Sequence, residues 1–537
     1  MRVPGMPGMG GPETGCGASD PTRRSGLPRG VDGGALLAVP LWKGLVHVAV
    51  SRKKAEQRRR GGAKFAMIPE APGALPLLGH TLALLRDHLG FMNTLPLRGD
   101  LVQIRLGPLK VLVVSSPDLT RQLLLDDATF DKGGPLFDRV REALGNGLLT
   151  CPHADHRRQR RLLQPIYSRA RLPGYAKEMS EAAAEMTGAW IDGQLIDVTT
   201  ITQQIAAGSL AATMFANALP PDTLKQTIQD IDTLWVGWAI RVILPAALGR
   251  FPTLGYWRYR RAGARFRRTV SEVLARRRSN GTGHGGDLIS LLLTVHDSPV
   301  TPARHGATDE TTGAGLSDAE IYEQMMTLLA AGIETTASTI SWALYLLARH
   351  PKIQRQLNDE VDTVLQGGMA TYEHVSGLEL TSRIVAETLR LYPAPWFVTR
   401  TATADTLLGG HAIPAGTALA YSPFVLHHRG DLFPHPERFD PDRWLPENDG
   451  NIPPGAFVPF GHGARKCAGD KFASTQAILV LASLSARWWV ELGPGLAQRR
   501  PPRPPLGVSL KPPKLPLRVL ARTGDTRKHG AETEETT

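Results

Sequence analysis

Cys467 stands in the stretch Phe460-Gly461-His462-Gly463-Ala464-Arg465-Lys466-Cys467-Ala468-Gly469. Glycines at 461, 463 and 469 permit a tight turn that side chains would obstruct. An apolar run of helix length, Phe472 to Leu481, follows. A sulfur between such a loop and a helix N-terminus faces free amide groups and the positive end of the helix dipole, and Arg465 and Lys466 add positive charge beside it. The expectation is a stable thiolate that can ligate a metal, with cations that can pair with an anionic cofactor. A free cysteine in an arbitrary loop is often only a small buried hydrophobe, but this whole decapeptide argues against that reading.

A second chemically loaded stretch is Ala331-Gly332-Ile333-Glu334-Thr335-Thr336-Ala337-Ser338-Thr339. It lies within a long predicted helix that opens at Ser317-Asp318-Ala319-Glu320, a capping-box spacing, and stops at His350-Pro351. About 30 residues at ~1.5 Å each give a rod of ~45 Å, enough to cross a domain. Apolar residues surround it, the mark of a buried helix. A buried unpaired carboxylate is costly, so Glu334 needs a reason to be there. For Thr335 the plain structural reason is a bond back to the carbonyl four residues earlier, with local opening of the helix. Further on, Glu387 and Arg390 stand three apart on one helical face. Such pairs are common on surfaces, yet Ile384, Val385, Leu389 and Leu391 imply burial, and a buried pair needs additional partners.

Around these stretches the chain reads as a large, mostly helical globular protein. It has 537 residues, 42% hydrophobic and 21% charged, a balance that builds a substantial core. Its three cysteines, Cys16, Cys151 and Cys467, make no disulfide framework and suit a reducing compartment. The net charge of +12 is partly terminal, from Arg52, Lys53, Lys54, Arg58, Arg59 and Arg60 and from Arg499, Arg500 and Arg503. Without a recognition motif or interleaved aromatics these runs do not indicate nucleic acid. Residues 1–66 are rich in Gly, Pro and Arg and are expected to be disordered, as is the polar tail 522–537. The apolar patch at 35–50 falls short of the ~20 residues of a spanning helix and carries Pro40, Lys43 and His47. Membrane association through it is an alternative, not the expectation. Between these ends, 67–521 is read as one domain, with a hairpin at Leu101–Leu106 and Val111–Val114 and a short helix from Leu119 to Leu125 opened by Ser116-Pro117-Asp118.

Phe460, Gly463, Arg465, Cys467 and Gly469 fill the pattern Phe-x-x-Gly-x-Arg-x-Cys-x-Gly, which resembles the haem-binding loop of the cytochrome P450 family. Ala331-Gly332-Ile333-Glu334-Thr335-Thr336 matches the family's Ala-Gly-x-Glu-Thr-Thr, and Glu387-Thr388-Leu389-Arg390 its Glu-x-x-Arg. The resemblance covers roughly Ile68 to Leu520. It implies a single mainly α domain with small β-sheets, a long central helix over the haem, and haem b held by Cys467 as thiolate ligand. It implies haem-propionate contacts from His156, Arg160, Arg400 and Arg465, with Phe460 and Gly461 against the cofactor. Thr335 would hydrogen-bond dioxygen and Glu334 relay protons. A later Pro-x-Arg segment should complete the Glu387–Arg390 pair; an aromatic residue two places before Pro441, Phe439, favours Arg443 over Arg438. Trp235, Trp238, Ala331, Trp396, Phe397 and Val398 would line an apolar substrate pocket. Leu506 to Leu510 should form part of a late hairpin.

The activity so implied is a monooxygenase that puts one atom of dioxygen into an apolar small molecule. With no flavin or iron–sulfur motif in the sequence, electrons from NAD(P)H should arrive through a ferredoxin reductase and a ferredoxin, with Arg465 and Lys466 near the docking face for an acidic partner. The text is most similar to bacterial members that oxidise terpenes; fatty acids and polyketides are the alternatives. A haem-thiolate isomerase or peroxygenase, or a haem sensor, would have no use for Glu334 and Thr335. A cytoplasmic monomer is expected.

Overall fold

The computed structural model describes residues 67–215, 219–243, 254–279, 288–297, 316–496 and 501–522. The expected N-terminal extension, its apolar patch and basic cluster, Arg499 and Arg500 therefore lie outside the described residues. Arg522 does not open a disordered tail: its backbone amide donates to Arg487 O at 2.9 Å and its guanidinium pairs with Asp362 at 2.7 Å.

Among the described residues ten strands form three small sheets: β1 (Leu101–Leu106), β2 (Leu109–Val114), β3 (Phe130–Asp131), β4 (Leu195–Asp197), β5 (Val398–Ala402), β6 (Thr406–Leu408), β7 (His411–Ile413), β8 (Ala418–Tyr421), β9 (Trp488–Leu492) and β10 (Pro516–Ala521). The largest runs β1-β2-β8-β5-β3. Its first pair is the expected hairpin, turning at Gly107 with φ +59°. β8 joins β2 in parallel and β5 pairs antiparallel with β8. This sheet sets Asp131 and Arg400 on neighbouring strands, since β3 pairs with β5 through Asp131 and Thr401. The late hairpin is not formed at Leu506–Leu510. That segment makes one bridge, Pro395 to Ser509, and a bond from Leu510 N to Ala394 O, and prolines at 504, 505, 512 and 513 flank it. Proline lacks the N–H a ladder needs.

Helices carry most of the core. They are α1 (Thr81–Asn93), α2 (Pro117–Leu125), α3 (Gly134–Leu144), α4 (His153–Leu163), α5 (Leu172–Gly188), α6 (Val198–Phe215), α7 (Pro221–Ile243), α8 (Leu254–Ser279), α9 (Leu288–Asp297), α10 (Asp318–Arg349), α11 (Pro351–Leu365), α12 (Glu379–Leu391), α13 (Pro423–His427) and α14 (Asp470–Arg487). The capping box at Ser317 is realised on α10, where Ser317 Oγ accepts from Glu320 N and the Glu320 carboxylate accepts from Ser317 N. Its 32 residues are buried nearly all round, as the apolar sequence demands. α6, α12 and α14 pack on it and α5 packs on α6 and α14 in the same core cluster, and Trp342 of α10 stacks on Tyr392 with ring centroids 3.8 Å apart.

Candidate active site

The cysteine loop is held by backbone. Cys467 N donates to Phe460 O at 2.9 Å and Lys466 N to Gly463 O at 3.1 Å. Gly463 has φ +68°, and a Cβ there would lie 2.3 Å from Leu124 O, so only glycine fits. Phe460 packs on the main core, and Gly461, at φ +70°, faces the Tyr421 hydroxyl. α14 starts three residues beyond Cys467. The free thiol is not the stable thiolate expected from that geometry. Residue 467 has accessible surface, although protein surrounds its sulfur. Burial pushes the thiol pKa up from its ordinary value, outweighing the Gly469 backbone amide.

Beside it is a buried cluster of positive charge. Arg400 is 3% exposed; its Nη1 donates only to the carbonyl of Thr399, at 2.8 Å, and its Nε has no partner among the described residues. Lys132, at the end of β3, is also buried and gives one bond, to Leu149 O at 2.8 Å. Burial, then Arg400 and Arg465, pull its pKa down to about 7. His156 on α4 is buried, and burial followed by Arg465 and Lys132 takes its pKa to about 3. These groups interact with one another and with Cys467 across chain separations of hundreds of residues. A buried cluster with more cations than acceptors fits an anionic ligand.

Two of the expected anchors also hold protein groups. Arg465 donates to Asp131 Oδ1 at 2.7 Å, to Asp127 Oδ2 at 3.2 Å and to Cys151 O at 2.8 Å. These ties fix the cysteine loop to β3 and to the segments flanking it. Arg160 donates to Lys466 O at 2.6 Å and to Gln164 at 2.9 Å, bracing the same loop from α4. Nearby acceptors, which the chain spacing did not reveal, engage Nε, Nη1 and Nη2 of Arg465 and Nε and Nη1 of Arg160. Lys466 pairs with Asp470 at 2.6 Å and remains exposed, whereas Arg465 is too buried to meet a partner.

On α10, Thr335 Oγ1 donates to Ala331 O at 2.8 Å, and the helix continues without interruption. The back-bond expected at Thr335 is present; a break in the helix is not. Glu334, 5% exposed, is held by the Ser509 hydroxyl. Burial lifts its pKa to about 7, against opposing effects of Ser509 and Lys511. Lys511 pairs at 2.6 Å with Asp232 of α7, which also accepts from Gln203 at 3.1 Å. The half-exposed Asp232–Lys511 pair acts electrostatically on Glu334.

Of the expected pocket residues, Trp235 and Trp238 line a wholly apolar hollow with Val140, Leu144, Leu234 and Ala330, and Trp235 Nε1 donates to Ala330 O at 3.2 Å. Ala331 is one residue further along α10, half-buried. Trp396 turns the other way: its indole donates to Gly507 O at 2.8 Å and packs edge-on to His88 of α1. Phe397 packs with it in the sheet core, and Val398 in a second small cluster.

The brace is complete at α12. Arg390, fully buried, donates twice to Glu387, at 2.9 and 2.8 Å, and to the carbonyls of His427, Pro436 and Arg438. Glu387 also takes Trp444 Nε1 at 3.0 Å and Asp440 N at 3.1 Å. Arg443 stands 3.6 Å from Glu387, while Arg438 is 70% exposed. The favoured third member is therefore the one in place.

The family profile described as "Cytochrome P450" matches residues 69–519. The chain belongs to the cytochrome P450 family. Among its relatives, "Pentalenene oxygenase" of Streptomyces avermitilis is 39% identical over 84% of this chain and 97% of that protein. "Cyclooctat-9-en-7-ol 5-monooxygenase" of Streptomyces melanosporofaciens is 39% identical over 79% of this chain and 90% of that protein. Among solved structures, the "cytochrome P450DA heme domain" superposes with a TM-score of 0.73 at 28% identity, covering 86% of this chain and 98% of that one.

A cytochrome P450 carries haem b on a cysteine thiolate, and the residues present fit that group. Cys467 would take the iron, while the orphaned Arg400 Nε and the under-used Lys132 ammonium suit carboxylates such as the haem propionates. Sequence reasoning missed Lys132, Asp127 and Asp131. The signal was available in Phe130-Asp131-Lys132-Gly133-Gly134, where two charges directly follow an apolar residue. It also missed Ser509, Lys511 and Asp232, which nothing in their spacing connects to Glu334.

Proposed function

We propose that this cytochrome P450 is a monooxygenase that inserts one atom of dioxygen into a cyclic terpene. Its electrons would come from NAD(P)H through a ferredoxin reductase and a ferredoxin. The observation that carries the reading is buried Glu334 beside half-buried Thr335 on the helix that also contributes Ala330 to an all-apolar hollow. The terpene assignment draws on the names of the two Streptomyces relatives. When bound, the haem supplies dioxygen activation and stores the reducing equivalents.

The chain's own residues do the rest. Trp235, Trp238 and Leu234 offer an apolar wall that excludes water and gives a hydrocarbon no polar partner. Glu334, with a pKa near neutrality, can accept a proton and give it up at a carboxylate oxygen at physiological pH. The Asp232–Lys511 ion pair lies near enough to act electrostatically on that carboxylate, and Ser509 fixes its position. The Thr335 hydroxyl, bonded to Ala331 O, can turn to donate elsewhere at the cost of one neutral hydrogen bond, about 1 kcal/mol. On the cysteine-loop side, exposed Lys466 and Lys471 suit an acidic ferredoxin. Two free cysteines among the described residues suit the reducing cytoplasm, where the reading places the enzyme as a monomer. No described helix is long and apolar enough to cross a membrane.

The test is spectral and chemical. The reduced, carbon-monoxide-bound protein should show the strongly red-shifted Soret band of thiolate haem. Cyclic terpenes should displace the resting spectrum and yield singly oxygenated products with a ferredoxin system. Absence of that band sinks the haem-thiolate reading; conversion of fatty acids or macrolides but no terpene sinks the substrate reading.

A further inference from the structure

On the strongly basic α4 the buried residues are His156, Gln159 and Leu163, three and four places apart on one face. Gln324 of α10 is buried completely. A buried amide needs partners at both its oxygen and its nitrogen, and these two find them in each other and in the loop that follows α3. Leu148 N donates to Gln324 Oε1 at 3.0 Å, Gln324 Nε2 donates to Gln159 Oε1 at 2.9 Å, and Gln159 Nε2 donates to Asn146 O at 3.1 Å. Head to tail, the two amides close a ring with the backbone from Asn146 to Leu148.

The loop within the ring is itself stiff and pressed on α10. Thr150 N and Cys151 N donate to Gly147 O, both at 2.9 Å, and Thr150 Oγ1 donates to Gly145 O at 2.6 Å. A Cβ on Gly147 would lie 2.2 Å from Thr327 Oγ1 and 2.7 Å from Glu323 O, so the backbone there lies directly on the helix. Leu144, the last residue of α3, stands just before this loop. It lines the apolar hollow with Val140 and Ala143 of α3, Trp235 of α7 and Ala330 of α10. Gln324 and Ala330 are about 9 Å apart along the axis of α10, so the ring pins α3 close to the wall that the two helices share. The hollow is about 10 Å³, barely room for one water, and an apolar substrate must displace one of its walls. α10 is buried nearly all round. α3 is 11 residues long, with Val140 and Leu144 as its core side chains among the described residues, and so short a helix depends on its contacts and ties.

We propose that Gln159 and Gln324 are specificity-determining positioning residues: their amide ring holds α3 against α10 and so limits the width of the apolar ligand that the hollow admits. Each amide engages its oxygen and its nitrogen within the ring, so both act through the loop and not on the substrate. Two of the bonds tie the loop, one to each glutamine, and the bond between the glutamines fixes which way each amide faces. A wide ligand must break both loop bonds to move α3; a narrow one need not. At about fivefold for each neutral hydrogen bond, the ring discriminates against wide ligands by about 25-fold. This rests on the hollow being the substrate site, the reading proposed for the enzyme.

The experiment is spectral titration of the full-length holoenzyme with imidazole, which needs only the iron, and with clotrimazole, whose triaryl group needs the hollow. The ratio of the two dissociation constants is the readout. Gln324→Met and Gln159→Met should each shift it about fivefold towards clotrimazole, and the double variant about 25-fold, with imidazole binding and the carbon-monoxide band unchanged. Ala330→Val, which narrows the hollow, should shift it the other way. An unchanged ratio in the glutamine variants overturns the proposal even where Tm falls, because a merely structural ring would lower stability without sorting ligands by width. If Ala330→Val still weakens clotrimazole in that case, the hollow remains the substrate site and only the ring has failed. If Ala330→Val also leaves the ratio unchanged, the hollow is not the site and both readings fall. Should the double variant fail to hold haem, the single variants decide by the same ratio.

Discussion

Replacing Arg390 by Met tests whether the α12 brace holds the cysteine loop. All five guanidinium N–H groups are used, two on Glu387 and three on the carbonyls of His427, Pro436 and Arg438. Methionine fills most of the volume but leaves three buried carbonyls without this donor. Glu387 keeps only the Trp444, Asp440 and Arg443 contacts. Breaking a buried pair by removing one partner costs about 3–5 kcal/mol. Unfolding entropy of about 2.1 cal/mol/K per residue over the 451 residues matched by the family profile amounts to ~1 kcal/mol/K, so Tm should fall by roughly 3–5 °C. The damage should also reach the cofactor. His427 Nε2 accepts from Val458 N at 3.0 Å and its Nδ1 faces Arg390 O at 3.2 Å. Burial holds His427 neutral, with His428 and Arg390 adding to the effect, so a single tautomer links the brace to the strand of chain entering Phe460. Circular-dichroism melts and the fraction of protein giving the carbon-monoxide thiolate band are the measurements, with Arg438→Ala as control. Arg438 is 70% exposed and lies 3.9 Å from Asp440, so its loss should stay within about 0.5 kcal/mol. If Arg390→Met melts within about 1 °C of the parent and binds haem fully, the brace argument is wrong.

Gly463→Ala must relieve a contact of 2.3 Å to Leu124 O at φ +68°, so the purified protein should be folded by circular dichroism but largely without haem; normal haem content would show that the loop can shift. Lys132→Met removes an ammonium from the buried cation cluster, and haem transfer to excess apomyoglobin should accelerate roughly tenfold, the equivalent of one charge-assisted bond; an unchanged rate would remove Lys132 from the cofactor's partners. Glu334 has a native pKa raised to about 7 from 4.5, so the native state binds more protons than the unfolded one between those values and loses stability as pH rises through them. Relative to wild type, Glu334→Gln should therefore gain Tm from pH 5 to pH 8; a pH-independent difference would mean that the carboxylate is not buried as described.

The parts legible in the sequence were those whose physics is local. Gly463 and Cys467 declare a turn and a ligand within ten residues, and Ser317 with Glu320 declares the start of α10, because backbone geometry and capping act over one or two turns. The choice of Arg443 over Arg438 also came from a local cue, the aromatic Phe439 that packs into the core before the proline. What stayed hidden was the pairing of charges across the fold. Arg465 meets Asp127 and Asp131 more than 300 residues away in the chain, and Glu334 meets Ser509 at a separation of 175. No periodicity encodes such meetings, so the carboxylates beside Arg465 could not be foreseen from its place next to the cysteine. With Arg465 paired to two carboxylates, Arg400 and Lys132 are the less engaged cations of the cluster, one orphaned at Nε and the other at a pKa near 7. Asp127 and Asp131 therefore do more than pair with Arg465: by occupying it they hold the cysteine loop against β3, while the cations on β5 and at the end of β3 stay free for the ligand.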